Sequence, residues 1–158
     1  MDNLRIVRDT REKVDFWDFS YAGHDMIDSA LKSGDYSLEG YEDQISIERK
    51  KSTGELSGNL GIKIKQFRNE LERLRSYKVK YVLCEFSISD VLNFPQNSGI
   101  PKKLWSKLRM SGAYMSKLIQ ELSDEYDIIF LFCDDKTCAE ETAIQIFKEF
   151  IDKYGKSN

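Results

Sequence analysis

Two short apolar segments restrict the possible folds of this chain more than any other feature of its sequence. Residues 79–86 and 127–133 both read as buried strands. Apolar residues at helical spacing predict helices over residues 62–77, from Pro101 to about residue 123, and over residues 137–154. Shorter strands are expected earlier, at residues 4–7, near 16–19 and 26–31, after the turn at 33–36, and at 44–50. Strands that cluster early and alternate with helices later predict an α/β fold, with helices covering a central sheet.

Length and composition fit one globular domain over residues 1–158. A chain of 158 residues with 41% hydrophobic residues has room for a core. The longest apolar run, at residues 128–133, is far shorter than the roughly 20 residues that span a bilayer. No apolar stretch follows the first five residues, so a secretory signal is not expected. The sequence therefore predicts an intracellular, cytoplasmic protein that does not associate with membranes.

The histidine and cysteine residues exclude several kinds of chemistry. His24 is the only histidine, so a site that needs two histidines is not available. Cys84, Cys133 and Cys138 form no CxxC pair, which disfavours a structural zinc site. Cys84 and Cys133 lie in apolar runs and are expected to be buried thiols in a reducing compartment. A Cys–His nucleophile remains an alternative, although buried thiols are usually inert.

A candidate catalytic centre lies where two expected strands meet. Asp35 opens one strand, and Glu48 lies on the next strand after 12 intervening residues. A hairpin between these strands would place Asp35 beside Glu48 and Lys50, which share one face of their strand, whereas Arg49 lies on the other. Paired carboxylates favour Mg²⁺ or Mn²⁺, and a neighbouring lysine can orient water or stabilise a phosphorane. This is a minimum set for metal-assisted phosphodiester hydrolysis, although such spacing also arises by chance.

Charge is distributed unevenly along the chain. Residues 1–47 carry 5 basic and 11 acidic side chains, whereas residues 48–80 carry 10 basic and 4 acidic ones. An acidic region that can hold cations therefore precedes a basic segment that can hold phosphates. The alternative is that these charges belong to ordinary solvated helix faces.

Several motifs occur in the order and with the spacing of a known family. They are Asp-Thr-Arg-Glu at residues 9–12, Gly-Asp-Tyr at 34–36, Ile-Glu-Arg-Lys at 47–50, the helical segment 67–74 and the strand 81–86. On these motifs the chain resembles the nuclease domain of the XPF family of structure-specific endonucleases. The resemblance covers about residues 5–95. It implies a restriction-endonuclease-like fold of the PD-(D/E)xK type, in which helices flank a central mixed β-sheet.

The resemblance also implies roles for the residues of the expected hairpin. Asp35 and Glu48 would be metal ligands together with the main-chain carbonyl of Arg49, and the metal would be Mg²⁺ or Mn²⁺. Lys50 would be the catalytic lysine, acting with Glu48 and Asp35. The Arg49 side chain, on the opposite face of the strand, is expected to form a buried ion pair that organises the site.

The first acidic motif of the family is matched by Asp9, Arg11 and Glu12. The resemblance implies that this motif supports the site and lines the same cleft. For Asp9 and Glu12 the alternative is a solvated strand end, because charged residues are common there.

Two departures from the family pattern stand out. After Glu-Arg-Lys and three further residues the family has an Asp, but this chain has Gly54, followed by Glu55. Either Gly54 leaves this acidic position empty, or it absorbs an inserted residue so that Glu55 becomes a metal ligand. A purely structural alternative for Glu55 is stabilisation of the helix dipole. The tandem helix–hairpin–helix unit of the family is not expected, because the chain ends at Asn158, as in the short versions found in phages.

The sequence as a whole predicts a Mg²⁺- or Mn²⁺-dependent DNA endonuclease. It would cleave branched, flap, junction or nicked DNA during repair or recombination. The candidates for contacts with the DNA backbone are Lys51, Lys63, Lys65, Arg68 and Arg73. An inactive DNA-binding or scaffolding subunit is the main alternative, and an antagonist of another nucleic-acid machine is a third.

A homodimer is expected from the same resemblance, because family nuclease domains pair through helices late in the domain. Residues 101–154 carry four large aromatic side chains that could contribute to such an interface: Trp105, Tyr114, Phe147 and Tyr154. Burial of these side chains in the monomer core is an equal alternative.

Overall fold

The protein is built around a six-stranded sheet with helices on both faces. The computed structural model describes residues 3–155, so the first two residues and the expected domain limits at 1 and 158 lie outside the described residues. The strands are β1 (Arg5–Arg8), β2 (Asp25–Asp28), β3 (Tyr36–Leu38), β4 (Ile45–Lys50), β5 (Val79–Cys84) and β6 (Ile129–Phe132). The helices are α1 (Thr53–Leu60), α2 (Ile64–Arg73), α3 (Ile88–Leu92), α4 (Gly112–Tyr126) and α5 (Lys136–Tyr154). Two short 3₁₀ helices lie at Ser20–Ala22 and Lys102–Lys107.

The sheet is mixed, with the strand order β2-β1-β3-β4-β5-β6. β1 is parallel to β2, β3 is antiparallel to both β1 and β4, and β4, β5 and β6 run parallel. Parallel neighbours need crossover connections, which α1 and α2 supply between β4 and β5, and α3 and α4 between β5 and β6. The expected α/β class, with helices flanking a central mixed sheet, is confirmed.

Two hydrophobic cores lie on opposite faces of the sheet. On the first, which we call the α2 face, Leu56 of α1, Phe67 of α2 and Met115 of α4 are buried together. On the second, which we call the α5 face, Phe147 of α5 is buried with Tyr36 of β3. Because both faces are covered, a side chain on β4 is enclosed whichever way it points.

β4 shows the alternation that its sequence predicts. Ile47 is buried on the α5 face, and Arg49 follows it there, with its guanidinium carbon 5.2 Å from the ring centroid of Trp17. Lys50 points to the α2 face, where its Nζ lies 5.2 Å from the ring centroid of Phe67. The predicted separation of Arg49 from Lys50 is therefore confirmed.

The prediction of one continuous helix from Pro101 onward is wrong for its first half. Lys102–Lys107 forms a 3₁₀ helix, the chain is extended at Leu108 with a ψ of 132°, and α4 begins only at Gly112. Ser111 caps α4 through its side chain. Gly112 lies so close to the α3 main chain that an added Cβ would not fit. A cap and a packing glycine therefore interrupt a pattern that has helical spacing.

Residues 16–19 form a loop rather than the expected strand. The rings of Trp17 and Phe19 pack against Tyr36, with centroid distances of 4.7 and 5.9 Å. The main-chain N of Trp17 donates a hydrogen bond to the Tyr36 hydroxyl at 2.8 Å. The alternating aromatic residues therefore reflect the packing of a loop onto the α5 face.

The four aromatic side chains that were expected at a dimer interface differ in their exposure. Phe147 is fully buried, so for this residue the monomer core is the correct interpretation. Tyr114 is 50% exposed, and Trp105 and Tyr154 are partly buried. Within residues 3–155, no helix is both long enough and apolar enough to cross a lipid bilayer.

Candidate active site

The β3–β4 hairpin brings Asp35 to the end of β4. Gly34 has a φ of 83°, which a residue with a Cβ rarely adopts, and the Ser46 side chain occupies the space that a Cβ would need. The main-chain N of Asp35 donates to the Ile47 carbonyl at 2.9 Å. Asp35 Oδ2 accepts a hydrogen bond from the main-chain N of Arg49 at 2.8 Å. The predicted position of Asp35 beside this strand is therefore confirmed.

Glu48 and Lys50 form an ion pair next to Asp35 on the α2 face. Lys50 Nζ lies 3.2 Å from Glu48 Oε2, and the Lys50 side chain is only 5% exposed. The Phe67 ring covers the ammonium group from α2. A lysine enclosed in this way presents its charge at a fixed position, which a solvated lysine cannot do.

The electrostatic environment favours a cation between the two carboxylates. Burial raises the pKa of Asp35 well above its usual value, and the Glu48 carboxylate raises it further. Burial also raises the pKa of Glu48, against the opposing charge of Lys50. Burial by itself would lower the pKa of Lys50, but the surrounding carboxylates, Glu48 above all, raise it on balance. Lys50 is therefore protonated, while Asp35 and Glu48 gain from a bound positive charge.

The donor set fits a hard divalent cation that keeps much of its hydration shell. Within residues 3–155, no three or more His, Cys, Asp or Glu side chains are gathered closely enough to ligate one metal ion. Mg²⁺ commonly binds through only one or two carboxylates and retains several waters. Asp35 and Glu48 meet this requirement, whereas a metal site enclosed entirely by protein ligands does not fit.

Gly54 lies where the family has an acidic residue, and its surroundings exclude any side chain. An added Cβ would lie 2.5 Å from the Ser98 carbonyl oxygen, to which the Gly54 N donates a hydrogen bond at 3.1 Å. Gly54 lies inside α1 and needs no positive φ. Close packing against Ser98, rather than backbone freedom, is therefore what requires glycine here.

Glu55 lies in the first turn of α1 at the edge of the site. Its main-chain N donates to Ser52 Oγ at 3.1 Å, and its Oε1 accepts from the main-chain N of Lys51 at 2.8 Å. The carboxylate is exposed and helps to cap the helix. Its charge also contributes to the raised pKa values of Glu48 and Lys50, so it lies within electrostatic range of both. This position suits a helix-end charge and a supporting role at the site.

Arg49 forms the buried ion pair that its face of β4 predicts. Its Nε donates to Glu85 Oε2 at 2.7 Å and its Nη1 to Glu12 Oε2 at 3.1 Å, with the side chain fully buried. Glu12 also accepts from the Tyr36 hydroxyl at 2.9 Å, and Glu85 from Trp17 Nε1 at 2.5 Å. This network fixes the end of β4 from the α5 face. Glu12 therefore supports the site from the α5 face, its charge also helps to raise the pKa of Asp35, and a solvated strand end does not describe it.

Asp9 and Arg11 connect β1 to the site. Asp9 is buried, accepting from the main-chain N of Leu31 at 2.8 Å and from Arg11 Nε at 2.6 Å. Its main-chain N donates to the Asp35 carbonyl at 2.9 Å, so a solvated strand end does not describe it. The bond to Asp9 raises the pKa of Arg11, and the Asp35 and Glu48 carboxylates add to this effect. Arg11 is 73% exposed and can therefore present its charge to a phosphate at the open side of the site.

The five basic residues that were expected to contact DNA fall into two groups, according to whether the side chain already has a partner near α2. Arg68 already pairs with Glu125 at 2.7 Å, and Arg73 Nε donates to Ser33 Oγ at 2.8 Å. Arg73 thus ties α2 to the turn before Asp35. The remaining candidates are exposed: Lys51, Lys63 and Lys65. These three lysines are the better placed for phosphate contacts.

Glu70 is a residue near the site that the sequence interpretation missed. It lies on α2 three residues after Phe67, which places both on the same face of the helix. Its charge helps to raise the pKa of Glu48, after the effects of burial and Lys50. An acidic residue that shares a helix face with a buried aromatic residue is the signal that could have identified it.

The cysteines do not form an activated nucleophile. His24 Nδ1 accepts a hydrogen bond from the main-chain N of Leu4 at 3.1 Å, which fixes it at the start of β2. Burial raises the pKa of Cys133 to about 11, and it also raises the pKa of Cys84. Both side chains are therefore neutral thiols at physiological pH, as the apolar runs predicted.

Comparison with known proteins places this geometry in a known fold. No protein-family model matches the sequence, and no curated protein matches it significantly. The solved structure of XPF from Aeropyrum pernix in complex with DNA matches 98% of this chain and 68% of its own, with a TM-score of 0.68 and 18% identity. The chain has the XPF nuclease fold. A second structure of XPF from Aeropyrum pernix matches 94% of this chain and 68% of its own, with a TM-score of 0.60 and 20% identity.

The XPF likeness confirms the restriction-endonuclease-like fold that the motifs implied. It extends over nearly the whole chain, including the late strands and helices where the sequence motifs were least distinctive. At 18–20% identity this likeness establishes the fold. The DNA in the first structure is a ligand of the Aeropyrum pernix protein.

Proposed function

We propose that this protein is a DNA endonuclease that hydrolyses phosphodiester bonds with the help of Mg²⁺ or Mn²⁺. The observation that carries the proposal is the grouping of Asp35, Glu48 and Lys50 at one end of the β3–β4 hairpin, within an XPF nuclease fold. DNA is the proposed substrate because a protein of this fold has been solved in complex with DNA.

The residues of the hairpin have distinct roles in this proposal. Asp35 and Glu48 hold the metal ion, with the Arg49 carbonyl as a further ligand. A bound divalent ion polarises the scissile phosphate and lowers the pKa of a bound water. Lys50, fixed by Glu48 and Phe67, stabilises the negative charge that develops on the phosphorus centre or orients the attacking water. Arg11 binds a non-bridging phosphate oxygen from the open side of the site.

The proposed substrates are branched, flap, junction or nicked DNA in repair or recombination inside the cell. Lys51, Lys63 and Lys65 would contact the backbone, which positions DNA without reading its sequence. We further propose that residues 1–158 form one nuclease domain, and that two copies pair through β6, α4 and α5 within residues 101–154. The half-exposed Ile129 on the edge strand β6 is available for such pairing.

A cleavage assay over a panel of end-labelled DNAs tests the proposal. The panel contains a plain duplex, a nicked duplex, a flap, a fork and a four-way junction, each incubated with Mg²⁺, with Mn²⁺ and with a chelator. We expect metal-dependent internal cleavage of at least one branched or nicked DNA, with the plain duplex cleaved at least about tenfold more slowly. Binding of these DNAs without cleavage in either metal would instead support an inactive scaffolding subunit.

Replacement of Glu55 with Gln separates its two candidate roles. Gln keeps an acceptor oxygen for the Lys51 main chain, so the thermal midpoint should change by no more than about 4 °C, since a helix-end charge contributes only about 0.3–1 kcal/mol. If Glu55 supports the metal site, the metal concentration for half-maximal cleavage should rise about tenfold. Glu121→Gln, an exposed change on α4, serves as the control. An unchanged metal titration would leave Glu55 as a helix cap only.

A further inference from the structure

A cavity that is lined by residues of α1 and of the segment before α4 lies outside the carboxylate–lysine site. Its volume is about 610 Å³, which falls within the range of about 300–1,000 Å³ that is usual for small-molecule sites. Gly58 of α1, Ile62 of the following turn, and Leu108, Met110 and Tyr114 line it. The floor of the cavity is therefore apolar, with one aromatic ring at its edge.

Two of these apolar side chains are exposed to an extent that core packing does not explain. Ile62 is 100% exposed and Tyr114 is 50% exposed. Isolated exposed apolar residues are common on protein surfaces, but these two share the edge of one cavity. An apolar group that entered the cavity would cover both side chains.

The rim of the cavity is positively charged and has no opposing charge. Lys107 and Arg109 line the cavity, and Lys63 and Lys65 follow Ile62 in the chain. All four are exposed, and none makes an ion pair or side-chain hydrogen bond with any other residue between 3 and 155. No acidic residue lines the cavity. An apolar floor with an uncompensated basic rim suits a ligand that has a flat apolar part and negative charges next to it.

α1 connects this cavity to the proposed catalytic site. The helix begins at Thr53, three residues after Lys50, and Ser57 lines the cavity on the same helix. At roughly 1.5 Å per residue, Ser57 is about 8 Å along the helix axis from the Ser52 cap. The cavity is therefore separated from the end of β4 by one short helix.

We propose that this cavity binds an unpaired nucleotide of the DNA substrate, and this inference rests on the proposed function. The base stacks on Tyr114 and packs against Ile62 and Met110, while Lys107 and Arg109 neutralise the adjacent phosphates. A base that is still paired within a duplex cannot enter, so the cavity favours DNA with an unpaired nucleotide close to the cleavage point. An apolar segment of another protein, or of a second copy, would leave the basic rim without a partner.

Binding measurements in the absence of divalent metal test this inference separately from cleavage. The probes are two flap DNAs that differ only at the unpaired nucleotides next to the branch, which carry bases in one and are abasic in the other. Wild-type protein should bind the base-containing flap about tenfold more tightly, a typical contribution of one stacked base. The variant Gly58→Met fills the cavity, because a Cβ at this position would have no atom within 4 Å and methionine favours a helix.

Gly58→Met should bind both flaps equally, at the affinity that wild type has for the abasic flap. Gln145→Met, an exposed change on α5 on the opposite face of the sheet, should keep the tenfold preference. Equal binding of the two flaps by wild type would overturn the inference, whether or not the protein cleaves DNA, and this result needs no variant. A dimer in light scattering that Gly58→Met dissociates, with the base preference intact, would also overturn it, because the occupant would then be a second copy. Base-selective binding without any cleavage would contradict the proposed endonuclease but support the inference.

Discussion

Lys50→Ala should lower the rate of DNA cleavage by at least about a hundredfold while leaving the protein folded. Removing one charged group that stabilises a transition state typically costs about 10²–10³ in rate. Lys50 is the only basic side chain that the structure encloses beside Asp35 and Glu48, within residues 3–155. Glu48→Ala should have an effect of similar size, because it removes both a metal ligand and the partner of Lys50. Single-turnover cleavage of the best DNA of the panel is the measurement.

The neighbouring lysine provides a matched control for this experiment. Lys51 is exposed on the next residue, and its Nζ contacts only the Val14 carbonyl among the described residues. Lys51→Ala should therefore weaken DNA binding a few-fold, mainly at low salt, with little effect on the rate of bound substrate. Lys50→Ala should still bind DNA. A cleavage rate for Lys50→Ala within threefold of wild type would contradict the assignment of the catalytic site.

The geometry of the candidate site could be predicted from sequence where it depends on one hairpin. A strand period of two and a turn at Gly34 suffice to place Asp35 beside Glu48 and to separate Lys50 from Arg49. The contacts that hold this hairpin in position are non-local. Glu85 reaches Arg49 from the loop after β5, and no local pattern around either residue indicates this pairing.

The parts of the chain that were wrongly predicted also depend on distant packing. Residues 102–110 have the apolar spacing of a helix, but Gly112 must lie against the main chain of α3, so the helix begins only there. Gly54 is required by the Ser98 carbonyl, which comes from a loop more than 40 residues later. Periodicity reports the local preference of a segment, whereas such close approaches between main chains are visible only in the folded structure.

Arg49→Ala should destabilise the protein by about 3–5 kcal/mol, because it leaves Glu12 and Glu85 as largely buried carboxylates without a cation. Arg5 forms an exposed pair with Glu39, so Arg5→Ala should lower the free energy of unfolding far less than Arg49→Ala does. Urea unfolding with matched m-values is the measurement for both variants. Adding Glu85→Gln to Arg49→Ala should recover part of the loss, since it removes one unpaired charge but keeps an acceptor for Trp17. Equal effects of Arg49→Ala and Arg5→Ala would show that the buried network does not hold the end of β4 in place.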